Sequence, residues 1–147
     1  MKIKNIVLDE NSLGVTQRSL KVLRDTLSRC IDQHIALVEV PTNDLCCGYL
    51  ILNRDTGVAT FTGDGFRTDG GGEGGAGYRS AQALIRLFGL RPYLNWYDEP
   101  VDLSGAYSTG IEIAKKRLLK VAQELEEVLE AGRRFVRPLD KMPDYLR

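Results

Sequence analysis

Arg67 and Arg79 bracket the part of this chain best suited to chemistry. From Gly63 to Gly77 the sequence reads GDGFRTDGGGEGGAG, a run holding eight of the chain's fifteen glycines. Glycine loses more conformational freedom on folding than any other residue, so this concentration needs a reason. The usual one is backbone that approaches another group closely or adopts a positive φ. An apolar, strand-like segment (Val58-Ala59-Thr60-Phe61) precedes the run, and a helix-like segment from Tyr78 follows it. A glycine loop that ends at a helix N-terminus presents free N–H groups and the positive end of the helix dipole, which together favour an anion. The planar fork of arginine suits phosphate oxygens. Arg79, expected in the first helical turn, opposes the dipole by roughly 0.3–1 kcal/mol unless an anion pairs with it. The expected contacts are therefore the backbone amides of Gly70, Gly71, Gly72, Gly74, Gly75 and Gly77 with Arg67 and Arg79, and Tyr78 stacking on a base. The competing reading is a spacer loop whose arginines pair internally with Asp64, Asp69 or Glu73.

Other chemistries find less support. Gly72 to Gly77 matches G-x-G-x-x-G, but the dinucleotide turn must directly follow a parallel strand, and here about ten residues intervene. The Lys-Ser/Thr of a phosphate-binding Walker loop is missing as well. Asp64, Asp69 and Glu73 carry the oxygens Mg²⁺ needs, at a spacing that fits no EF-hand. The one histidine, His34, adjoins a strand-like segment with no evident nucleophile. Cys46 and Cys47 lack a neighbouring base to lower their pKa. These residues favour binding over turnover, with no catalytic residue, metal or cofactor expected.

Charge and composition narrow the partners. Twenty Lys and Arg balance twenty Asp and Glu. Nucleic acid and anionic membranes select for a surplus of cations, so neither is expected. The sequence holds no apolar run of the ~18 residues that a membrane span requires. Met1-Lys2-Ile3-Lys4 lacks the apolar core of a signal peptide, and the odd set Cys30, Cys46 and Cys47 reads as buried thiols; a cytoplasmic location is expected.

The elements that must position the glycine run follow from periodicity. Ile3 to Leu8 reads as a strand. Asn11 and Ser12 offer caps for a helix whose apolar face is Leu20, Leu23, Leu27 and Ile31, with Arg18, Lys21, Arg24 and Arg29 on a solvated face. Ile35 to Val40 is a continuous β-branched strand ended by Pro41. Gly48 to Leu52 and Val58 to Thr62 form a hairpin about a Gly-ended turn. Ala81, Leu84, Ile85 and Phe88 make one helical face. Leu90 to Gly105 is irregular and holds Tyr93, Trp96 and Tyr97. Thr109 and Glu112 form a capping box for a long last helix ending near Gly132. That helix carries Lys115, Lys116, Arg117 and Lys120 in its first half and Glu124, Glu126, Glu127 and Glu130 in its second, the reverse of what its dipole prefers. The fold class expected is α+β: a small, mostly antiparallel sheet of three or four strands with three helices on one face. Residues 1–132 are expected to form one domain, and 133–147 a basic, Pro-containing tail.

The segment Phe61-Thr-Gly-Asp-Gly-Phe-Arg67, followed by glycines and a Gly-Tyr-Arg helix start, resembles the phage Thoeris anti-defence proteins, sponges that sequester cyclic nucleotide-like immune signals. The resemblance covers residues 58–90. A helix between the first two strands departs from that family's pattern. It implies a non-catalytic homo-oligomer that binds a phosphate-bearing adenine nucleotide between protomers. The function expected is thus sequestration of a small phosphorylated ligand. Two alternatives stand beside it: a protein-interaction module using the last helix, and a metal-dependent phosphoesterase built on Asp64, Asp69 and Glu73.

Overall fold

The computed structural model describes residues 3–43, 45–93, 100–103 and 110–131. Strand β1 spans Asn5–Leu8. A short 3₁₀ turn at Glu10–Ser12 leads into helix α1, Thr16–Arg29. Strands β2 (Ile35–Pro41), β3 (Cys46–Asn53), β4 (Val58–Phe61) and β5 (Phe66–Arg67) follow, then helices α2 (Gly72–Leu87) and α3 (Ile111–Glu130). The class is α+β, with three helices and a mixed sheet.

The strands lie in the order β1-β4-β3-β2, and β5 pairs with the start of β3. The expected hairpin is present: β3 and β4 run antiparallel with Asn53 opposite Val58. Asn53 also fixes the turn, its side-chain oxygen accepting from the N–H groups of Asp55 (3.0 Å) and Thr56 (3.2 Å). The sheet is mixed because β1 pairs in parallel with β4, Asn5 opposite Val58 through Leu8 opposite Phe61. Since β2 and β4 both run antiparallel to β3, the strands β1, β2 and β4 share one direction and end on one edge.

Helices cover both faces of the sheet, where one covered face was expected. Leu37, Tyr49, Ile51 and Phe66 pack against Leu23 and Leu27 of α1 and Ala81 and Ile85 of α2. On the other face Val38, Val40, Leu50, Leu52 and Phe61 pack against Leu118, Val121 and Leu125 of α3. The signal was already in β3, where Cys47 to Asn53 is buried without interruption, the mark of a strand covered on both sides. Helix α3 is tied to the sheet by Arg54, whose Nε lies 3.0 Å from the carboxylate of buried Glu126.

Helix boundaries differ from the periodicity in specific ways. Asn11 and Ser12 lie in the 3₁₀ turn, and α1 starts later, at Thr16, with Val15 as an N-cap that makes no side-chain bond. The Ser12 hydroxyl donates to the carbonyl of Asp9 instead. Ile31, assigned to the buried face of α1, falls beyond its end and is exposed, while Leu23 and Leu27 are buried. Helix α2 begins at Gly72, six residues before Tyr78, so four of the run's eight glycines are helical. Gly110 with φ +97° caps α3. Thr109 of the expected capping box, Trp96, Tyr97 and Gly132 lie outside the described residues, as does the tail 133–147.

Candidate functional site

A cleft of about 670 Å³ opens at the edge where β1, β2 and β4 end. Gly14 and Thr16 line it from the start of α1, Gly74 from the first turn of α2, and Thr42 and Asn43 from the β2–β3 turn. Asp64, Gly65 and Arg67 come from the chain after β4, and Asp102 and Leu103 from the segment before α3. Open sheets flanked by helices bind ligands outside the carboxyl ends of their parallel strands, and this cleft has that position. The first turns of two helices border it, both capped by residues without a side-chain bond, so their leading N–H groups are not met by a capping side chain.

The glycines divide into two sets. Some are required by close packing within the protein. A Cβ on Gly77 would lie 2.2 Å from the Thr16 methyl group, and one on Gly75 would lie 2.2 Å from the carbonyl carbon of Gly70. Gly75 and Gly77 are buried and hold α2 against its neighbours, so they do not offer backbone to a ligand. Gly74 is crossed by the aliphatic stem of Arg67, with Cγ 2.7 Å from where a Cβ would stand. The other set is Gly70, Gly71 and Gly72. Gly72 has φ +59° and open space around it, and Gly70 has φ +79°. Gly70 and Gly72 are exposed backbone, whereas the Gly71 N–H is held by Asp69.

The cationic groups are placed unequally. Arg67 lines the cleft, but its fork is filled by Asp69: Nε to Oδ1 at 3.1 Å and Nη2 to Oδ2 at 2.6 Å. Asp69 also accepts from the Gly71 N–H at 3.0 Å. Each partner stabilises the charge of the other, the hydrogen bonds holding the Asp69 carboxyl below its usual range and raising Arg67. A carboxylate of the protein thus sits where an incoming anion would meet Arg67 and the entry to α2. Arg79 is two turns into α2 rather than in its first turn, so the dipole argument does not apply to it. It is exposed, is not among the described residues lining the cleft, and lies over Gly70.

Tyr78, expected to stack on a base, is half-buried and anchored through its hydroxyl. Its hydroxyl donates to Glu39 Oε1 at 2.6 Å, and that of Tyr49 donates to the same oxygen at 3.1 Å. Burial pushes the Glu39 carboxyl above its ordinary value, opposed in part by the two phenols. This acid was not singled out in the sequence, although a lone glutamate within Ile-Ala-Leu-Val-Glu-Val is a detectable anomaly.

Asp64 is the central polar side chain of the cleft. Its Oδ1 accepts from the Gly14 N–H at 2.7 Å and its Oδ2 from the Thr42 hydroxyl at 2.9 Å. The adjoining backbone is fixed to α1: the Thr16 hydroxyl donates to the Gly65 carbonyl at 2.6 Å, and the Gly65 N–H donates to Ser19 Oγ at 3.2 Å. Asp64, Asp69 and Glu73 do not converge. Glu73 accepts from Gln17, and no group of three or more metal-ligating side chains is assembled among the described residues. His34 is 84% exposed and pairs with Asp55 at 2.9 Å, at the opposite sheet edge from the cleft. Cys47 is buried and its thiol pushed far up by burial, whereas half-buried Cys46 borders the cleft. Thr42, Asn43, Gly14 and Thr16 carried no chemical motif in the sequence.

Compared with protein-family models, with curated proteins and with solved structures, the chain matches none.

Proposed function

We propose that this chain binds and sequesters, without catalysis, a small phosphorylated, nucleotide-like ligand, such as the cyclic nucleotide immune signals that the anti-defence resemblance implies. The observation that carries the reading is the cleft itself. It lies at the carboxyl edge of three co-directional strands, and the uncapped first turn of α2 and the Arg67 guanidinium meet at its rim. Its volume is in the range of small-molecule sites, roughly 300–1,000 Å³. Phosphate oxygens would replace the Asp69 carboxylate on Arg67 and take up N–H groups at Gly72 to Gly74. Sequestration rather than turnover is favoured because the Thr42 hydroxyl, which meets the Asp64 carboxylate at the cleft, is largely buried and serves to hold Asp64. A cytoplasmic homo-oligomer completes the reading. No helix among the described residues is long and apolar enough to cross a membrane.

Isothermal titration against cyclic nucleotides and cyclic ADP-ribose isomers tests it. Binding is expected, weakened by about 1–3 kcal/mol in Arg67→Ala, the scale of a lost charge-assisted hydrogen bond. Denaturing the complex should return the ligand unchanged by mass spectrometry. Recovery of a hydrolysed product, or the absence of heat with every phosphorylated compound, would sink the reading.

A further inference from the structure

The groups lining the cleft differ in hydrogen-bonding sense. Arg67 and the first turn of α2 offer donors. Asp64 offers a carboxylate, each of whose oxygens accepts one bond within the protein and keeps a second acceptor position. Beside it, the side-chain oxygen of Asn43 is occupied by the N–H groups of Leu45 at 2.9 Å and Cys46 at 2.8 Å. What Asn43 has left to offer the cleft is its amide NH₂. The Thr42 hydroxyl, almost fully buried, holds Asp64 in place.

An acceptor adjoining a donor selects among ligand groups. A second phosphate is repelled by Asp64. An ammonium answers Asp64 but leaves the Asn43 NH₂ unmet, because it has no lone pair. A pair of adjacent hydroxyls both donates and accepts, and answers both side chains. We propose that the Asp64–Asn43 part of the cleft recognises free vicinal hydroxyls of a phosphorylated sugar whose phosphate is held at Arg67. The inference rests on the phosphate-binding reading above and narrows it: the sugar, rather than the base, is the specified part of the ligand. Such a phosphorylated sugar could stand alone or belong to a ribonucleotide.

Titration calorimetry with five probes tests this: inorganic phosphate, ribose 5-phosphate, 2-deoxyribose 5-phosphate, 5′-AMP and 2′-deoxy-5′-AMP. Each ribo compound should bind about tenfold or more tighter than its deoxy counterpart, the size of one lost hydrogen bond to a charged group. A gap in both pairs supports a site for sugar phosphates at large, and a gap with AMP alone supports one for ribonucleotides. Asp64→Asn should shrink the gap to within about twofold while leaving the affinity for inorganic phosphate no lower. Asn43→Asp keeps the oxygen that caps the turn and removes the NH₂, so it should shrink the gap too, independently of how Asp64→Asn folds. Equal affinity of the native protein for ribo and deoxy probes, with inorganic phosphate still bound in an Arg67-dependent way, overturns this inference alone. Failure of all five probes to bind overturns it together with the phosphate reading.

Discussion

Arg67 and Asp69 form an exposed pair, and exposed pairs contribute little stability because water and salt screen them. Their geometry matters more than their energy, since the pair blocks the one guanidinium that lines the cleft among the described residues. Replacing Asp69 by Asn keeps a side-chain oxygen for the Gly71 N–H but releases the fork. Asp69→Asn should therefore bind pyrophosphate about three- to tenfold more tightly by calorimetry, in keeping with a charge-assisted hydrogen bond regained. Unchanged affinity would mean that Arg67 serves only the fold. Glu39 makes a second prediction at this scale. Its carboxyl is raised above an ordinary value of 4.5, so the folded state holds its proton more firmly than the unfolded chain. That contribution is fully present below about pH 4.5 and is lost as pH rises through the raised folded value. Against Glu39→Gln, which does not titrate, the native protein should lose thermal stability between pH 4 and 8. A constant difference in Tm across that range would contradict the assignment.

Among the elements, the junction of α1 and α2 is set by Gly77 lying against the Thr16 methyl. Gly77→Ala gains helix propensity of about 1 kcal/mol but forces a contact that a packed interior resists by about 1–3 kcal/mol. A net loss of stability is expected in urea unfolding. Thr16→Ser removes that methyl and keeps the hydroxyl for the Gly65 carbonyl, so the double variant should recover most of the loss. The sheet attachment of α3 is equally specific. Arg54 is one-third exposed and Glu126 almost wholly buried, so Arg54→Met leaves an acid uncompensated and should cost about 1–3 kcal/mol. Arg54→Met with Glu126→Leu should cost less. Strands and helix faces were legible because β-branched runs and helical spacing record burial directly, as at Ile35 to Val40 and at Leu23 and Leu27. The start of α2 was not, because six residues rich in glycine have poor intrinsic helix propensity. They are helical because α1 and the Gly70 backbone pack closely against them. Nor does charge pattern alone explain the early cations of α3. Lys115 pairs with Glu112, and Arg117 meets the carbonyl and carboxylate of Asp102, so these two charges find partners within the chain.

Across the whole molecule, chain direction decides where the candidate site lies. Placing β1 beside β4 in parallel sends three strand ends and two helix starts to one edge. Sequence order could not show this, since the β1–β4 pairing joins segments some fifty residues apart. The glycine run was visible from composition, but its division into packing glycines and accessible ones depends on what stands opposite each, which only the tertiary contacts reveal. Asp64 and Thr42 belong to one site for the same reason: they are 22 residues apart in sequence and 2.9 Å apart in space. The most direct measurement of the central claim is a ¹H–¹⁵N correlation spectrum of the protein titrated with 5′-AMP. The expected result is that the amides of Gly14, Asn43, Gly65, Arg67, Gly72 and Gly74 move together along one saturable curve while those of His34 and Asp55, on the opposite edge, stay still. Shifts confined to that far edge, or none at millimolar nucleotide, would contradict it.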